Sequence, residues 1–186
     1  MSWLILVRHA APVVDPSRPS EEWALSEAGR AASLELAARL SSYAPALILS
    51  GPEPKQAGTA EAIATSVSAP VVISPGLSEH RRRSTAHAKK EEFESAIRRF
   101  FDEPENLVYG EESANQTYER FSLALDGALR KQPDSSVVAV SGGTAISLFI
   151  SRRSGVEPFP LWKNLRLPTA FVIGRGDWKV QEILYP

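Results

Sequence analysis

Short aliphatic runs without polar alternation constrain this chain most. Leu4-Ile5-Leu6-Val7 and Val137-Val138-Ala139-Val140 are apolar at every position. A strand with one wet face alternates apolar and polar side chains, so these runs predict strands covered on both faces. Strands are expected at 3–7, 46–50, 71–73, 137–141, 169–173 and 178–184. Helical patterns fall between them. Ser26 is a plausible N-cap for a helix with Ala31, Leu34, Ala37 and Leu40 on its inner face. Pro54 opens a helix over 54–65, where its missing N–H costs little. Phe93, Ile97, Phe100 and Phe101 recur at helical spacing. Ser113 and Gln116 form a capping-box pair ahead of the stripe Phe121, Leu125 and Leu129. A further helix begins after Gly142-Gly143 and carries Ile146 and Ile150.

This alternation specifies an α/β fold, a three-layer α/β/α sandwich with a mainly parallel central sheet. Gly174-Arg175-Gly176-Asp177 joins the last two strand runs as a hairpin signal, which predicts an antiparallel edge. Residues 1–186 read as a single domain, with residues 75–112 as a cap insertion over the sheet edge. The segment Phe159-Pro160-Leu161, with Trp162, reads as exposed, either a lid on the core or the interface of a homodimer.

Composition removes several function classes. A net charge of −1 gives no global field for nucleic acid or an anionic membrane. The absence of cysteine excludes disulfides, thiolate metal sites and a cysteine nucleophile. With three histidines and no ligand-spaced cluster, no metal is expected. No basic region precedes a long apolar stretch, so a cytoplasmic location is the default expectation. No Gly-x-Gly-x-x-Gly follows the first strand and no phosphate-loop Gly-Lys-Ser/Thr occurs, which disfavours a nucleotide-binding domain.

The chemistry gathers at strand ends. Arg8-His9 closes the first aliphatic run, and the carboxyl edge of an open α/β sheet is where ligands bind. A neutral imidazole can attack phosphorus, and a guanidinium beside it can grip two phosphoryl oxygens. Ser141-Gly142-Gly143-Thr144 is a tight strand-to-helix turn whose backbone N–H groups can face an anion. Lys55 falls in the first turn of its helix, where the macrodipole disfavours a cation, so it either serves a site or snorkels into water.

Leu6-Val7-Arg8-His9-Ala10, Trp23-Ala24-Leu25-Ser26-Glu27-Ala28-Gly29 and Ser50-Gly51-Pro52-Glu53-Pro54-Lys55-Gln56-Ala57-Gly58-Thr59-Ala60-Glu61 together resemble the histidine phosphatase superfamily, which includes the phosphoglycerate mutases. Leu77-Ser78-Glu79, Gly110-Glu111-Glu112-Ser113 and Val138-Ala139-Val140-Ser141-Gly142-Gly143-Thr144-Ala145 continue the match in the family's order. The resemblance implies a phosphatase or mutase that acts through a phosphohistidine on a small phosphorylated metabolite, and the short cap from Pro75 to Gly110, without a second phosphate site beyond the arginines at 81–83, favours the phosphatase. It implies His9 as nucleophile, Arg8 and Lys55 as phosphate ligands, and Glu79 as general acid and then base. Gly142 and Gly143 would contribute backbone to the phosphate site. No cofactor is implied. The expected partners are a small phosphorylated substrate or inorganic phosphate, with no nucleic acid and no membrane.

Two positions depart from the family pattern. Lys55 stands where the family has a second arginine, which keeps the charge and loses the bidentate fork. Gly142 stands where the family has a second histidine. The loss of one preorganised donor costs about 10²–10³-fold in rate, so weakened catalysis is expected, and Gly142→His should restore turnover in an otherwise intact pocket. His80, His87 or the arginines at 81–83 could fill the gap, although His80 should point away from Glu79 in an extended stretch. Glu79 could instead be a surface charge paired with those arginines. The alternative function is a non-catalytic phosphate-binding pseudophosphatase.

Overall fold

A computed structural model describes residues 2–85 and 88–186. Six strands form one sheet: β1 (Trp3–Arg8), β2 (Pro45–Ser50), β3 (Val71–Ile73), β4 (Ser136–Ser141), β5 (Thr169–Gly174) and β6 (Val180–Leu184). Their order across the sheet is β3-β2-β4-β1-β5-β6. β3, β2, β4 and β1 run parallel, while β5 is antiparallel to β1 and β6 to β5. The expected antiparallel edge therefore extends inward to include β5.

The aliphatic runs are buried on both sides. Leu4 and Leu6 of β1, with Val137 and Ala139 of β4, face a core with Phe121, Leu125, Ile146 and Phe149. That layer is built by α4 (Ala114–Lys131) and α5 (Gly143–Ser154). The alternate residues Ile5, Val7, Val138 and Val140 face a second core with Leu36, Ala37, Leu40, Ala60 and Ile63. These come from α1 (Glu27–Leu40) and α2 (Pro54–Val67). Each fully buried Leu, Ile or Phe contributes about 1.5–3 kcal/mol, so both faces are needed to hold the sheet. Among the described residues, no helix is long and apolar enough to cross a membrane.

The inner face of α1 differs from the expected one. Gly29, Ser33, Leu36, Ala37 and Leu40 are buried, whereas Leu34 is 42% exposed. The stripe follows small residues at its start because the loop before α1 presses close. A Cβ on Gly29 would lie 2.3 Å from the Ala11 carbonyl oxygen. Ser26 caps α1 as expected, accepting from the Gly29 N–H.

Between β3 and α4, α3 (Lys90–Asp102) lays Ile97, Phe100 and Phe101 against Ala114, Leu148 and Phe159. Phe159 belongs to a short helix, α6 (Pro158–Lys163), and is buried. The segment read as exposed thus contributes its first aromatic, Phe159, to the packing under α3.

Candidate active site

β4 lies between β1 and β2 and is parallel to both, so their carboxyl ends meet. Arg8 sits beside Ser141 in the β1–β4 register, and Ser50 sits beside Val140 across β2–β4. Topology therefore brings Arg8-His9, the turn leading to Lys55, and the Gly142-Gly143 bend to one edge. His9 is fixed there by its N–H donating to the Ser141 carbonyl at 3.0 Å.

His9 is buried, and its Nδ1 lies 2.8 Å from the Ala10 carbonyl oxygen. A carbonyl only accepts, so Nδ1 carries the proton and Nε2 is left as the nucleophilic nitrogen. Burial, reinforced by the Lys55 and Arg8 charges, lowers the His9 pKa to about 3. The ring is neutral at physiological pH. Ala10 is held in turn by its N–H to Thr59 Oγ1 at 3.0 Å, and Thr59 donates to the Lys55 carbonyl at 2.7 Å. Arg8 Nη1 donates to the Leu165 carbonyl at 2.7 Å. Gly143 lets that guanidinium lie close, since a Cβ there would come 3.0 Å from Arg8 Nε.

Lys55 is buried rather than snorkelling. Its Nζ pairs with Glu53 Oε2 at 2.7 Å and donates to the Ser20 carbonyl. Glu53 is the N-cap residue of α2, so its carboxylate offsets the lysine that the helix N-terminus disfavours. Its other oxygen, Oε1, accepts the Glu79 N–H at 2.8 Å. Sequence reasoning missed Glu53. The available signal was an acid two residues before a cation in a tight Gly-Pro-Glu-Pro turn.

Glu79 is a buried group, not a surface charge. Its carboxylate occupies the N-terminus of α5, accepting from Thr144 at 2.9 Å, from Ala145 at 2.8 Å and from the N–H of His80 at 2.8 Å. Burial alone would raise its pKa. The Arg82 charge and these three N–H groups reverse that and bring it to about 2. The glycine turn does hold an anion, as the pattern predicts, but the anion is the protein's own. The space beside Gly142 is also filled, because a Cβ there would lie 2.3 Å from the Glu79 carboxyl carbon. Gly142→His therefore cannot restore the missing imidazole without displacing Glu79, which corrects the expected gain.

Glu79 is placed by a second missed pair. Arg120 donates to the carbonyls of Gly76 and Ser78, each at 2.9 Å, and of Glu79 at 2.8 Å. It also holds Glu112 at 2.5 Å, and Glu112 accepts the Arg81 N–H at 2.9 Å. His80 does not enter the site. Its ring packs 4.1 Å from that of Phe100, and both ring nitrogens are buried without a hydrogen-bond partner among the described residues. His87 lies outside the described residues.

The profile of the histidine phosphatase superfamily (branch 1) matches residues 4–180. The chain belongs to this superfamily. Solved structures similar to this superfamily member include a phosphoserine phosphatase from Entamoeba histolytica in complex with 3-phosphoglyceric acid. It shares 19% identity at a TM-score of 0.77, covering 100% of this chain and 98% of that one. A mycobacterial glucosyl-3-phosphoglycerate phosphatase shares 18% identity at a TM-score of 0.72, covering 99% and 96%. YhfR of Bacillus stearothermophilus shares 16% at a TM-score of 0.75, covering 97% and 96%. These likenesses are to the fold, a phosphoglycerate mutase-like α/β sandwich. No curated protein matches the chain.

Proposed function

We propose that the protein is a phosphomonoester hydrolase with slowed catalysis, acting through a phosphohistidine on a small phosphorylated metabolite in the cytoplasm. The observation that carries this reading is the neutral His9 ring, its Nδ1–H tied to Ala10 and Nε2 left with its lone pair. Nε2 would attack phosphorus, and the P–O bond to the alcohol would break with its electron pair leaving on oxygen, which would take a proton from solvent. Water would then attack the phosphorus, breaking the P–N bond, with the Glu79 carboxylate taking its proton. Arg8 would hold phosphoryl oxygens, with Lys55 supplying positive potential beside the ring. Membership of a phosphatase superfamily and the crystallisation of a structural neighbour with inorganic phosphate support the reading.

One observation favours a non-catalytic phosphate receptor instead. Glu79 sits as a carboxylate on the α5 N-terminus, where it has no proton to give a leaving group. Incubation with an aryl phosphate separates the two. Phosphate release that drops about 10³-fold or more in His9→Ala supports the hydrolase. No release, together with a melting temperature that rises with added phosphate, supports the receptor.

A further inference from the structure

A backbone carbonyl aims the His9 ring. Nδ1 lies 2.8 Å from the Ala10 carbonyl oxygen, so the ring points where the peptide between Ala10 and Ala11 lets it. The peptides on either side of that carbonyl are both anchored. Before it, the Ala10 N–H donates to Thr59 Oγ1 at 3.0 Å. After it, the Ala11 carbonyl accepts from the Ser26 N–H at 3.0 Å and from Ser26 Oγ at 2.7 Å. Ser26 caps α1 and is needed for that helix in any case.

Thr59 has no such local duty, since it lies in the second turn of α2 rather than at a helix end. A threonine inside a helix ordinarily turns its hydroxyl back on the carbonyl four residues earlier, and Thr59 does so on Lys55 at 2.7 Å. What distinguishes it is the use of a lone pair as well, because a hydroxyl donates once and accepts twice. Its donor goes to the Lys55 segment and its lone pair to the Ala10 N–H, 49 residues away in the chain. Thr59 and Ala10 are both fully buried, so water does not stand in for the hydroxyl. Thr65 offers the contrast on the same helix. It donates to the Ala62 carbonyl at 2.7 Å, and its hydroxyl makes no further hydrogen bond among the described residues.

We infer that Thr59 is a positioning residue, whose hydroxyl sets the spacing between His9 and Lys55 and holds the Ala10 segment that keeps the His9 proton on Nδ1. The inference rests on the hydrolase reading and deepens it. Without the hydroxyl, the Ala10 N–H loses its acceptor and the segment moves to find another. The proton is then free to sit on Nε2, and a ring protonated there turns its lone pair toward the chain and cannot attack phosphorus. Displacement of a reacting atom by about 1 Å costs about 10²-fold. Lys55 keeps its own partners, Glu53 and the Ser20 carbonyl, so the loss falls on turnover rather than on substrate binding.

The test uses the full chain, nitrophenyl phosphate as substrate, and magnetic resonance of isotope-labelled histidine nitrogens, with His9→Ala identifying the His9 signals. Thr59→Val keeps the shape and removes the hydroxyl. It should lower kcat about 10²-fold and leave KM within about 3-fold of wild type. Thr59→Ser should recover kcat to within about 3-fold. At neutral pH the proton should sit on Nδ1 in the wild type and in Thr59→Ser, with the Nε2 form appearing in Thr59→Val. Thr65→Val, the same change on the same helix, should alter neither reading. Wild-type kcat in Thr59→Val, or a loss of kcat with the His9 nitrogens unchanged, would overturn the inference. So would a Thr65→Val protein as slow as Thr59→Val. If Thr59→Val does not fold, Thr59→Cys carries the test, its thiol being a weak donor and acceptor. A kcat in Thr59→Cys equal to that of Thr59→Ser would overturn the inference. A wild type without turnover, whose His9 nitrogens still change in Thr59→Val, would remove the hydrolase reading and retain the hold of Thr59 on the ring.

Discussion

The strand-end floor and the cleft lined by Arg82, Phe93 and Tyr109 handle charge differently. On the floor nearly every charged group has an internal partner. Lys55 has Glu53, Glu79 has the α5 N-terminus, and Arg8 has the Leu165 carbonyl on one nitrogen, while its Nε is enclosed without a partner among the described residues. In the cleft Arg82 keeps an enclosed donor with no acceptor among the described residues. The floor is thus part of what holds the chain together, and the cleft wall is not. A group paired inside the fold resists change for structural reasons, whereas an enclosed donor left without an acceptor, as at Arg8 Nε and Arg82 Nη1, is open to an acceptor from outside the chain.

The largest expected break in this contrast comes from Glu53→Gln. It leaves the Lys55 ammonium buried without its counter-charge, both side chains being less than a tenth exposed. Unfolding in urea should show a loss of about 3–5 kcal/mol, and Glu53→Gln with Lys55→Met should recover much of it. Unchanged stability in the single variant would mean that the floor is not internally compensated.

Gly142→Ala should cost about 1–3 kcal/mol and lower any turnover, because the new methyl meets Glu79 at 2.3 Å. Unaltered stability and turnover would place Glu79 away from the α5 N-terminus in solution.

His80→Phe should be neutral or stabilising by about 1 kcal/mol, since an apolar ring replaces two enclosed, unpartnered nitrogens among Phe100 and Tyr109. It should also change the pH response. Burial, then the Arg82 charge, lower the His80 pKa to about 4, with the Tyr109 carbonyl near enough to oppose this but outside hydrogen-bond geometry. The unfolded chain therefore binds more protons than the folded one between about pH 6.5 and 4. Stability falls as pH drops through that window, and the fall should be shallower in His80→Phe. An identical slope in both proteins would locate the acid sensitivity elsewhere. His9 adds the same sign of dependence, extending to about pH 3.

The smallest effect sharpens the comparison most. Arg82→Ala should leave stability unchanged or raise it by about 1 kcal/mol, because relief of an enclosed, unpartnered donor offsets the lost attraction to Glu79. A clear loss would make Arg82 a structural group like those on the floor.

Much of the architecture was legible before any coordinates. Leu4-Ile5-Leu6-Val7 told of a doubly covered strand, Ser113 with Gln116 marked the start of α4, and the ordered motifs from Arg8 to Thr144 carried the family. These signals are local, set by side-chain period and by backbone groups needing caps within a few residues. The inner face of α1 was misread because Gly29 and Ser33 are chosen by close approach to a distant loop, which hydrophobic period does not register.

The pairing of charges was a different matter. Arg8, His9, Lys55 and Glu79 could be named from the chain, but nothing in it said that Glu79 would lie across the α5 N-terminus beside Gly142. Nor did it say that Glu53 would neutralise Lys55, or that Arg82 alone among three consecutive arginines would turn inward. Sequence decides which groups can ionise and which elements carry them. Their partners and pKa values depend on distances between segments that the chain holds dozens of residues apart, and the packed sheet edge alone fixes those distances.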